Sequence, residues 1–486
     1  MFIVHSSATA SMNVMFPKDL MEKNENSKVN DNNAGKGFWV LVAGSVLLRL
    51  VLVYSPLSFG LSLRPEVSTP LTSLRRLAEG YWLKQYSMSP YAGSLYHGSP
   101  LLLYLLGPLT FQSNSFGSPS KIDGLYNRKL CSLLFLFSDI FTAVLLRKCG
   151  QLLQSSYIMR LKAFGLSAKS NNSGDIAALA YLWNPFTFVS CVGLSISSIE
   201  NSFVLMALYG ACSGNAPLAA FGWIIATHLS LYPIILVIPV ILLLGYGPDS
   251  HSRKLFAVKN CEGTFDEKLN KGSLFSWRAV LCFGCWAFAW LVGVLTLCHM
   301  VIRDHSDLWE MLRKTYGFIL AVEDLSPNIG VLWYFFAEVF DFFRNFFLIV
   351  FHINIVFMIL PLAIRIHHRP FFLAFVYTAI SSMLKSYPSV GDSALCLGLL
   401  ALFSHQLADM QFSFFLCCGY AGVSLLSPVM HNLWIWRGTG NANFYFATAI
   451  GYACLQIILV MESVSTILNH DRKLRKLVQG TNIKDS

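Results

Sequence analysis

Stretches of about 20 mostly apolar residues recur along this chain, and each has the length an α-helix needs to cross the hydrocarbon core of a bilayer. Charged residues make up only 13% of the sequence, about half the roughly 25% found in soluble domains. A soluble fold could not bury so much apolar surface, so the sequence predicts an all-α polytopic membrane protein with about 12 transmembrane helices. The predicted spans are 38–60, 127–147, 175–194, 199–213, 217–230, 231–247, 277–301, 331–362, 370–385, 391–407, 411–428 and 443–467.

The net charge of +10 is unevenly distributed. Basic residues gather beside predicted spans, in the loops 148–174 and 247–276 and in the tail 468–486. Positive charge in such places is typical of cytosolic segments, and an even number of spans then puts both termini in the cytosol. The charge is therefore interpreted as a topology signal and not as a nucleic-acid surface. Residues 1–37 are polar and lack a signal-peptide pattern, which predicts a disordered cytosolic extension ahead of a membrane domain at 38–467.

The apolar run Ser99–Leu109 is too short to cross a bilayer, and Pro108 would interrupt a longer helix. If this run did cross, the basic loop 148–174 would move to the side opposite the cytosol and violate the charge bias. We therefore predict a half-helix at the membrane surface. It belongs to a loop opposite the cytosol, 61–126, that carries interfacial helices.

The 12 cysteines are scattered, and none falls in a loop predicted to lie opposite the cytosol. No disulfide framework is therefore predicted. Cys282 and Cys285 form a CxxC, but they lie in an apolar helix without a partner pair. We predict no metal site and no cofactor.

Several segments of the N-terminal half resemble the endoplasmic-reticulum mannosyltransferases that use dolichol-phosphate sugars: SPYAGSLYHGSPLLLYLLG, SDIFTAVLL, YLWNPFTFVSC and HLSLYPIILVIP. From about residue 38 to about residue 470, the chain more closely resembles the phosphatidylinositol glycan class U (PIG-U) subunits of glycosylphosphatidylinositol (GPI) transamidase. That resemblance rests on LSPNIGVLWYFFAEVFDFF (Leu325–Phe343), KSYPSVGD (Lys385–Asp392) and GTGNANFYF (Gly438–Phe446). It implies a glycosyltransferase-C-like helical bundle in the endoplasmic-reticulum membrane.

The first loop lacks the acids of the resembled enzymes. When the chains are matched at the LAEG turn, the Asp-x-Asp of the mannosyltransferases falls on Arg64-Pro65-Glu66. Glycosyl transfer needs a carboxylate as base or as metal ligand. Between residues 61 and 99 the only carboxylates are Glu66 and Glu79, and Glu79 is expected on the surface of an interfacial helix. The catalytic acidic pair is therefore predicted to be missing.

The segment 428–446 places Trp436, Asn441 and Asn443 just before a long predicted span. Two amides one residue apart offer donors and acceptors to sugar hydroxyls, and a tryptophan face stacks on sugar at this interfacial depth. The resemblance implies that Asn441 and Asn443 contact the GPI glycan, and Phe444 and Trp436 complete the predicted contact. The alternative is a turn in which one of the asparagines caps the next helix.

The motif KSYPSVGD places Lys385, Tyr387 and Asp392 in a short hairpin. A lysine there is a candidate partner for a GPI phosphate. The alternative is a structural turn held by a Lys385–Asp392 ion pair. Asn328, in LSPNIG, is a further candidate contact, with the alternative of a positional role as a helix cap.

The resemblance implies a non-catalytic subunit that binds and presents the GPI lipid, with the proprotein's C-terminal signal as a further candidate ligand. Its implied companions are the class K catalytic subunit with its Cys/His pair, the class S and T subunits, the GPI attachment protein and membrane lipids, but no nucleic acid. One alternative is an active GPI mannosyltransferase that uses dolichol-phosphate-mannose. Another is a lipid transporter or scramblase, for which paired broken helices would be expected.

Overall fold

The computed structural model describes residues 24–110, 121–163, 172–248 and 275–484, and within these ranges it is helical apart from turns and an isolated β-bridge between Ser73 and Ser195. The 3₁₀ turn Tyr232–Leu236 and the π turn Arg313–Gly317 accompany the α-helices. The helices are α1 (Asn24–Tyr54), α2 (Leu57–Ser62), α3 (Leu74–Gln85), α4 (Pro100–Thr110), α5 (Lys121–Ala163), α6 (Ser173–Leu182), α7 (Pro185–Val192), α8 (Ser197–Cys212), α9 (Ala216–Ser230), α10 (Val237–Tyr246), α11 (Trp277–Ile302), α12 (Leu308–Leu312), α13 (Phe318–Ala321), α14 (Leu332–Glu338), α15 (Asp341–Ile366), α16 (Pro370–Leu384), α17 (Val390–Ala401), α18 (Ser413–Ile435) and α19 (Ala442–Lys484).

Among the described residues, six helices are long and apolar enough to cross a membrane: α1, α5, α11, α15, α18 and α19. A seventh span results if α6 and α7, which are bent by 48° at their junction, cross together. Shorter apolar helices occupy 100–110, 216–230, 232–246, 370–384 and 390–401. The predicted all-α membrane architecture is confirmed. Length and composition alone identify six or seven of the roughly 12 predicted spans.

One predicted span is interrupted, and one predicted boundary between spans is a break in the backbone. The span predicted at 331–362 is divided at Val339, where the backbone turns to the extended conformation (φ −74°, ψ 134°) between α14 and α15. The boundary between the spans predicted at 217–230 and 231–247 lies at Leu231, which has a φ of +63° although it is not glycine. Pro233 follows it and has no backbone N–H to continue the helical hydrogen bonds.

The structure also bears on the predicted segment boundaries. Helix α1 begins at Asn24 and so includes the described part of the extension predicted at 1–37. Helix α5 continues to Ala163, which makes residues 148–163 of the predicted cytosolic loop helical. The predicted tail 468–486 continues α19 as far as Lys484. The predictions for 1–23, 111–120, 164–171 and 249–274 lie outside the described residues. The predicted half-helix is α4, with Pro108 inside it.

Tertiary contacts gather the connecting segments at two ends of the bundle. At one end, which we call the loop end, the backbone N–H of Ile196 donates to the Thr72 backbone carbonyl (3.0 Å). The backbone N–H of Val390 donates to the Glu66 backbone carbonyl (3.0 Å). The opposite end, which we call the basic end, is marked by three ion pairs: Arg147–Asp175 at 2.5 Å, Arg369–Asp471, and Lys473–Asp409 at 2.6 Å.

A buried ion pair joins α1, α5 and α6 inside the bundle. The Arg49 Nε lies 3.7 Å from Oδ2 of Asp139, and both side chains are fully buried. Arg49 also donates to the Leu182 carbonyl (2.6 Å), and the Tyr181 hydroxyl donates to Asp139 (3.2 Å). These hydrogen bonds offset the cost of burying two charges and fix the three helices relative to one another.

Candidate functional site

The turn between α16 and α17 contains a buried ion pair. The Lys385 Nζ lies 2.5 Å from Asp392 Oδ1 and 3.9 Å from Glu200 Oε1. Burial alone would lower the pKa of Lys385, but the charges of Asp392 and Glu200 outweigh it and raise that pKa. Asp392 also accepts from the backbone N–H of Ser389 (2.7 Å), which completes a capping box at the start of α17. The lysine is therefore only 5% exposed and is held by carboxylates within the fold.

Tyr387 and Asn328 lie in the layer of loops packed against this turn. The Tyr387 ring stacks on Phe318 with centroids 5.1 Å apart, and its hydroxyl accepts from the Asp324 backbone N–H at 3.0 Å. The Asn328 side chain is fully buried and accepts from the Gly330 backbone N–H at 2.8 Å. Because α14 begins only at Leu332, Asn328 closes a turn ahead of the helix and is not its cap.

Glycine is required at position 330 by the close approach of the 385–392 turn. A Cβ at Gly330 would lie 2.6 Å from the Cγ of Pro388, which is inside van der Waals contact. The Asn328 turn therefore docks directly on KSYPSVGD. Through this contact the two motifs fix the start of α14.

The four other predicted site residues lie in and after the turn between α18 and α19. Trp436 is 74% exposed and Phe444 is 55% exposed, and both asparagines are exposed as well. Asn441 Oδ1 accepts from the Phe444 backbone N–H at 3.3 Å and so caps α19, as the alternative interpretation predicts. Asn443 Oδ1 accepts from the Tyr334 hydroxyl. Both of these bonds use the amide oxygen, and neither amide NH₂ group donates a hydrogen bond within the described part of the chain.

An aromatic platform, formed by Trp333, Tyr334, Trp434, Tyr445 and Phe446, supports these exposed residues. The rings of Trp333 and Trp434 stack with centroids 6.2 Å apart, and those of Tyr334 and Phe446 stack at 4.4 Å. Tyr445 lies 6.0 Å from Trp333 and 6.4 Å from Trp434. The platform therefore joins α14 to the facing ends of α18 and α19.

Some polar atoms at this platform are buried and have no hydrogen-bond partner among the described residues. Among them are Nε1 of Trp333 and Nδ1 of His431, whose ring lies 5.3 Å from that of Tyr445. Buried polar atoms in proteins are normally paired with protein, water or ligand. The platform thus combines apolar ring faces with buried polar groups that are unpaired among the described residues.

Glu66 joins the first loop to the same region. Its carboxylate accepts from the Ser427 hydroxyl at 3.3 Å, and its neighbour Arg64 donates to the Pro428 carbonyl at 3.4 Å. Burial raises the pKa of the Glu66 carboxyl against the opposing charge of Arg64. Glu66 is the carboxylate at the position that matches the Asp-x-Asp motif of the mannosyltransferases. It is only 6% exposed, so it is enclosed by protein. Glu79, expected at the surface, is half-buried with a carboxylate oxygen enclosed.

The structure divides the predicted site residues into two groups that α14 links. The exposed group is Trp436, Asn441, Asn443 and Phe444, and the buried group is Asn328, Lys385, Tyr387 and Asp392. Tyr334 and His431 are neighbours of the exposed group that are not among the predicted site residues. Tyr334 lies inside the motif LSPNIGVLWYFFAEVFDFF, which the sequence had already singled out. Its contact with Asn443 could not be predicted, because the two residues are 109 positions apart in sequence.

Comparisons with known proteins agree over most of the chain. Residues 43–452 match the model of the family described as GPI transamidase subunit PIG-U. The human GPI-anchor transamidase component PIGU is 32% identical over 446 residues, which cover 88% of this chain and 92% of that relative. The Saccharomyces cerevisiae GPI transamidase component GAB1 is 27% identical over 417 residues, which cover 84% of this chain and 89% of that relative.

A shorter similarity reaches the mannosyltransferases. The Dictyostelium discoideum GPI mannosyltransferase 1 is 28% identical over 247 residues, or 51% of this chain and 48% of that relative. Both resemblances stated from the sequence motifs are therefore found by comparison, and the transamidase-subunit similarity covers more of the chain.

Proposed function

This chain belongs to the PIG-U family of GPI transamidase subunits, and from that premise we propose that it binds the GPI glycolipid at the loop end and presents it to the transamidase's catalytic subunit. The observation that carries the proposal is the exposed asparagine pair at the start of α19, held over the aromatic platform by the Tyr334–Asn443 hydrogen bond. Presentation of the acceptor lipid in one orientation lowers the entropic part of the reaction barrier.

The chemistry of the exposed group suits a glycan that emerges from a bilayer. The amide NH₂ groups of Asn441 and Asn443 donate to sugar hydroxyls, while Trp436 offers an exposed ring at interfacial depth. Phe444 contacts the boundary between glycan and acyl chains. Helix α19 continues from these residues as a membrane-spanning helix, so a lipid bound here has its tail beside the bilayer core.

We assign the buried group a positioning role in the same site. Lys385 and Asp392 hold the α16–α17 turn, and Tyr387 and Asn328 hold the loop that docks on it. Because that loop leads into α14, the group fixes Trp333 and Tyr334 under the exposed asparagines. A direct contact of Lys385 with a GPI phosphate would require its ammonium to leave two carboxylates.

The enclosure of Glu66 supports a non-catalytic subunit over an active mannosyltransferase. A general base for glycosyl transfer must reach the acceptor hydroxyl, directly or through one water. Glu66 instead accepts from Ser427 inside the protein, and Arg64 places a positive charge beside it. The similarity to a mannosyltransferase then reflects a shared helical scaffold and not a shared reaction.

We further propose that the α6–α7 pair and the shorter helices α8, α9, α10, α16 and α17 also cross the membrane, while α4 does not. This gives about 12 crossings with both termini in the cytosol of an endoplasmic-reticulum protein. In support, successive connections alternate between the two ends of the bundle. Helix α16 begins at the basic end beside Arg369 and finishes at the loop end beside Lys385, and α17 returns. The arrangement fits a glycosyltransferase-C-like bundle whose loop end faces the lumen.

The proposal predicts specific companions for the purified protein. The full-length chain, tagged at its C-terminus and extracted in mild detergent, is expected to bring down a Cys/His catalytic subunit of class K, the class S and T subunits, the GPI attachment protein, and a GPI glycolipid. Mass spectrometry of proteins and lipids gives the readout. Recovery of dolichol-phosphate-mannose in place of GPI would support the mannosyltransferase. Recovery of ordinary phospholipids alone, without partner subunits, would support the transporter or scramblase.

A further inference from the structure

A cavity of about 240 Å³ lies at the basic end, where helices α5, α16, α17 and α19 meet. Its wall includes the aromatic rings of Phe372 and Phe403. It also includes the Arg369 guanidinium and the imidazoles of His405 and His470. A wall that carries aromatic rings together with a cation and two imidazoles matches a molecule with both an apolar body and an anionic group.

A second cavity of about 430 Å³ adjoins the first, because Gln406 and His470 line both. Its wall includes three cations, Arg472, Lys473 and Lys476, against two carboxylates, Asp409 and Glu462. The two together are within the size range of ligand sites for small molecules and lipid headgroups.

Arg369 is preorganised at the wall of the first cavity. The residue is 5% exposed, its Nε donates to Asp471 Oδ2 at 3.1 Å, and its Nη1 donates to Gln406 Oε1 at 2.6 Å. The same Asp471 oxygen lies 3.1 Å from His368 Nε2. Asp471 and Gln406 therefore fix the Arg369 guanidinium before any ligand arrives, so an anion that binds beside it orders few additional atoms.

We propose that these two cavities, which we call the basic-end site, bind the phosphate headgroup of an anionic glycerophospholipid from the leaflet at this end. The phosphate lies near His405, His470 and the Arg369 guanidinium, and the glycerol and first acyl carbons lie against Phe372 and Phe403. Basic clusters at helix ends attract anionic lipids in this manner. The basic-end site is separate from the glycan site, because Asn443 and His470 are 27 residues apart on α19, about 40 Å along the helix.

The test compares two single substitutions, each of which places a carboxylate at an exposed histidine position of the basic end. His405 lines the cavity, whereas His367 follows α15 and does not line either cavity. The full-length protein in detergent is titrated with phosphatidylinositol or phosphatidylcholine and the bound lipid is counted by native mass spectrometry. Phosphatidylinositol is expected to bind in preference to phosphatidylcholine. His405→Glu is expected to weaken its binding about tenfold, as one added repulsion of about 1.4 kcal/mol would do, while His367→Glu leaves binding unchanged.

Several results would overturn the inference. They are equal retention of phosphatidylcholine and phosphatidylinositol, equal loss of binding in both variants, or no loss in His405→Glu. Displacement of the lipid by soluble inositol phosphate at the same concentration would show that the site takes a free anion and not a lipid. Recovery of GPI at the loop end is measured separately in the co-purification experiment, so a failure here leaves the proposed function standing.

Discussion

Replacement of both Asn441 and Asn443 by leucine is expected to reduce GPI attachment about tenfold or more while the complex still assembles. Each lost hydrogen bond to a ligand costs about 0.5–1.5 kcal/mol, and every 1.4 kcal/mol corresponds to roughly a tenfold change in affinity. Both side chains are exposed, so their loss removes little packing from the fold. The measurement is the surface level of a GPI-anchored reporter in cells that depend on the variant, with co-precipitation of partner subunits as the assembly readout.

Two control variants separate glycan contact from helix capping. Asn441→Ser keeps a side-chain oxygen that can accept from the Phe444 N–H, so it retains the cap while removing the amide donors. It is expected to lose part of the attachment activity without loss of stability. Asn172→Leu, at an exposed position before α6 whose side chain makes no cap hydrogen bond, is expected to have no effect. Normal reporter levels in the Asn441/Asn443 double variant would contradict the contact assignment.

Replacement of Lys385 by methionine is expected to destabilise the protein by about 3–5 kcal/mol, because it leaves Asp392 and Glu200 as buried carboxylates without their cation. We expect a lower melting temperature in detergent and reduced recovery of assembled complex. The double variant Lys385→Met with Asp392→Asn is expected to recover part of this loss, since it removes one of the two unpaired charges.

An exposed ion pair provides the matched control. Lys473 and Asp409 lie 2.6 Å apart, but their side chains are 67% and 74% exposed. Lys473→Met is therefore expected to change stability by less than about 1 kcal/mol. If Lys385→Met instead assembled with a normal melting temperature and failed only in GPI attachment, Lys385 would be a direct ligand contact and the positioning role would be wrong.

The membrane class of the fold could be predicted from the sequence because it depends on local composition and run length. The half-helix at α4 was predicted for the same reason, since eleven apolar residues with an internal proline cannot cross a bilayer. The break at Val339 could not be predicted. The residues around it are aromatic and apolar, and α14 is separated from α15 while its rings stack on α18 and α19.

Contacts between residues that are close in sequence could also be predicted for the candidate site. Contacts between distant helices could not. Lys385 and Asp392 are seven positions apart in one motif, so their pairing was a stated alternative. The buried cluster also includes Glu200, which is on α8 and far from the motif in sequence. Likewise, Glu66 could be identified as an isolated acid, but its enclosure by Ser427 of α18 depends on how distant helices pack.

The central claim is that GPI lies against the exposed group at the loop end, and site-specific photocrosslinking tests it most directly. A photoreactive phenylalanine analogue replaces Phe444 in one variant and Phe414 in the other. Phe414 is 81% exposed and lies at the start of α18, away from the turn that carries the exposed group. A lipid adduct that contains mannose and inositol is expected at position 444 and none at position 414. No such adduct at 444, or equal adducts at both positions, would contradict it.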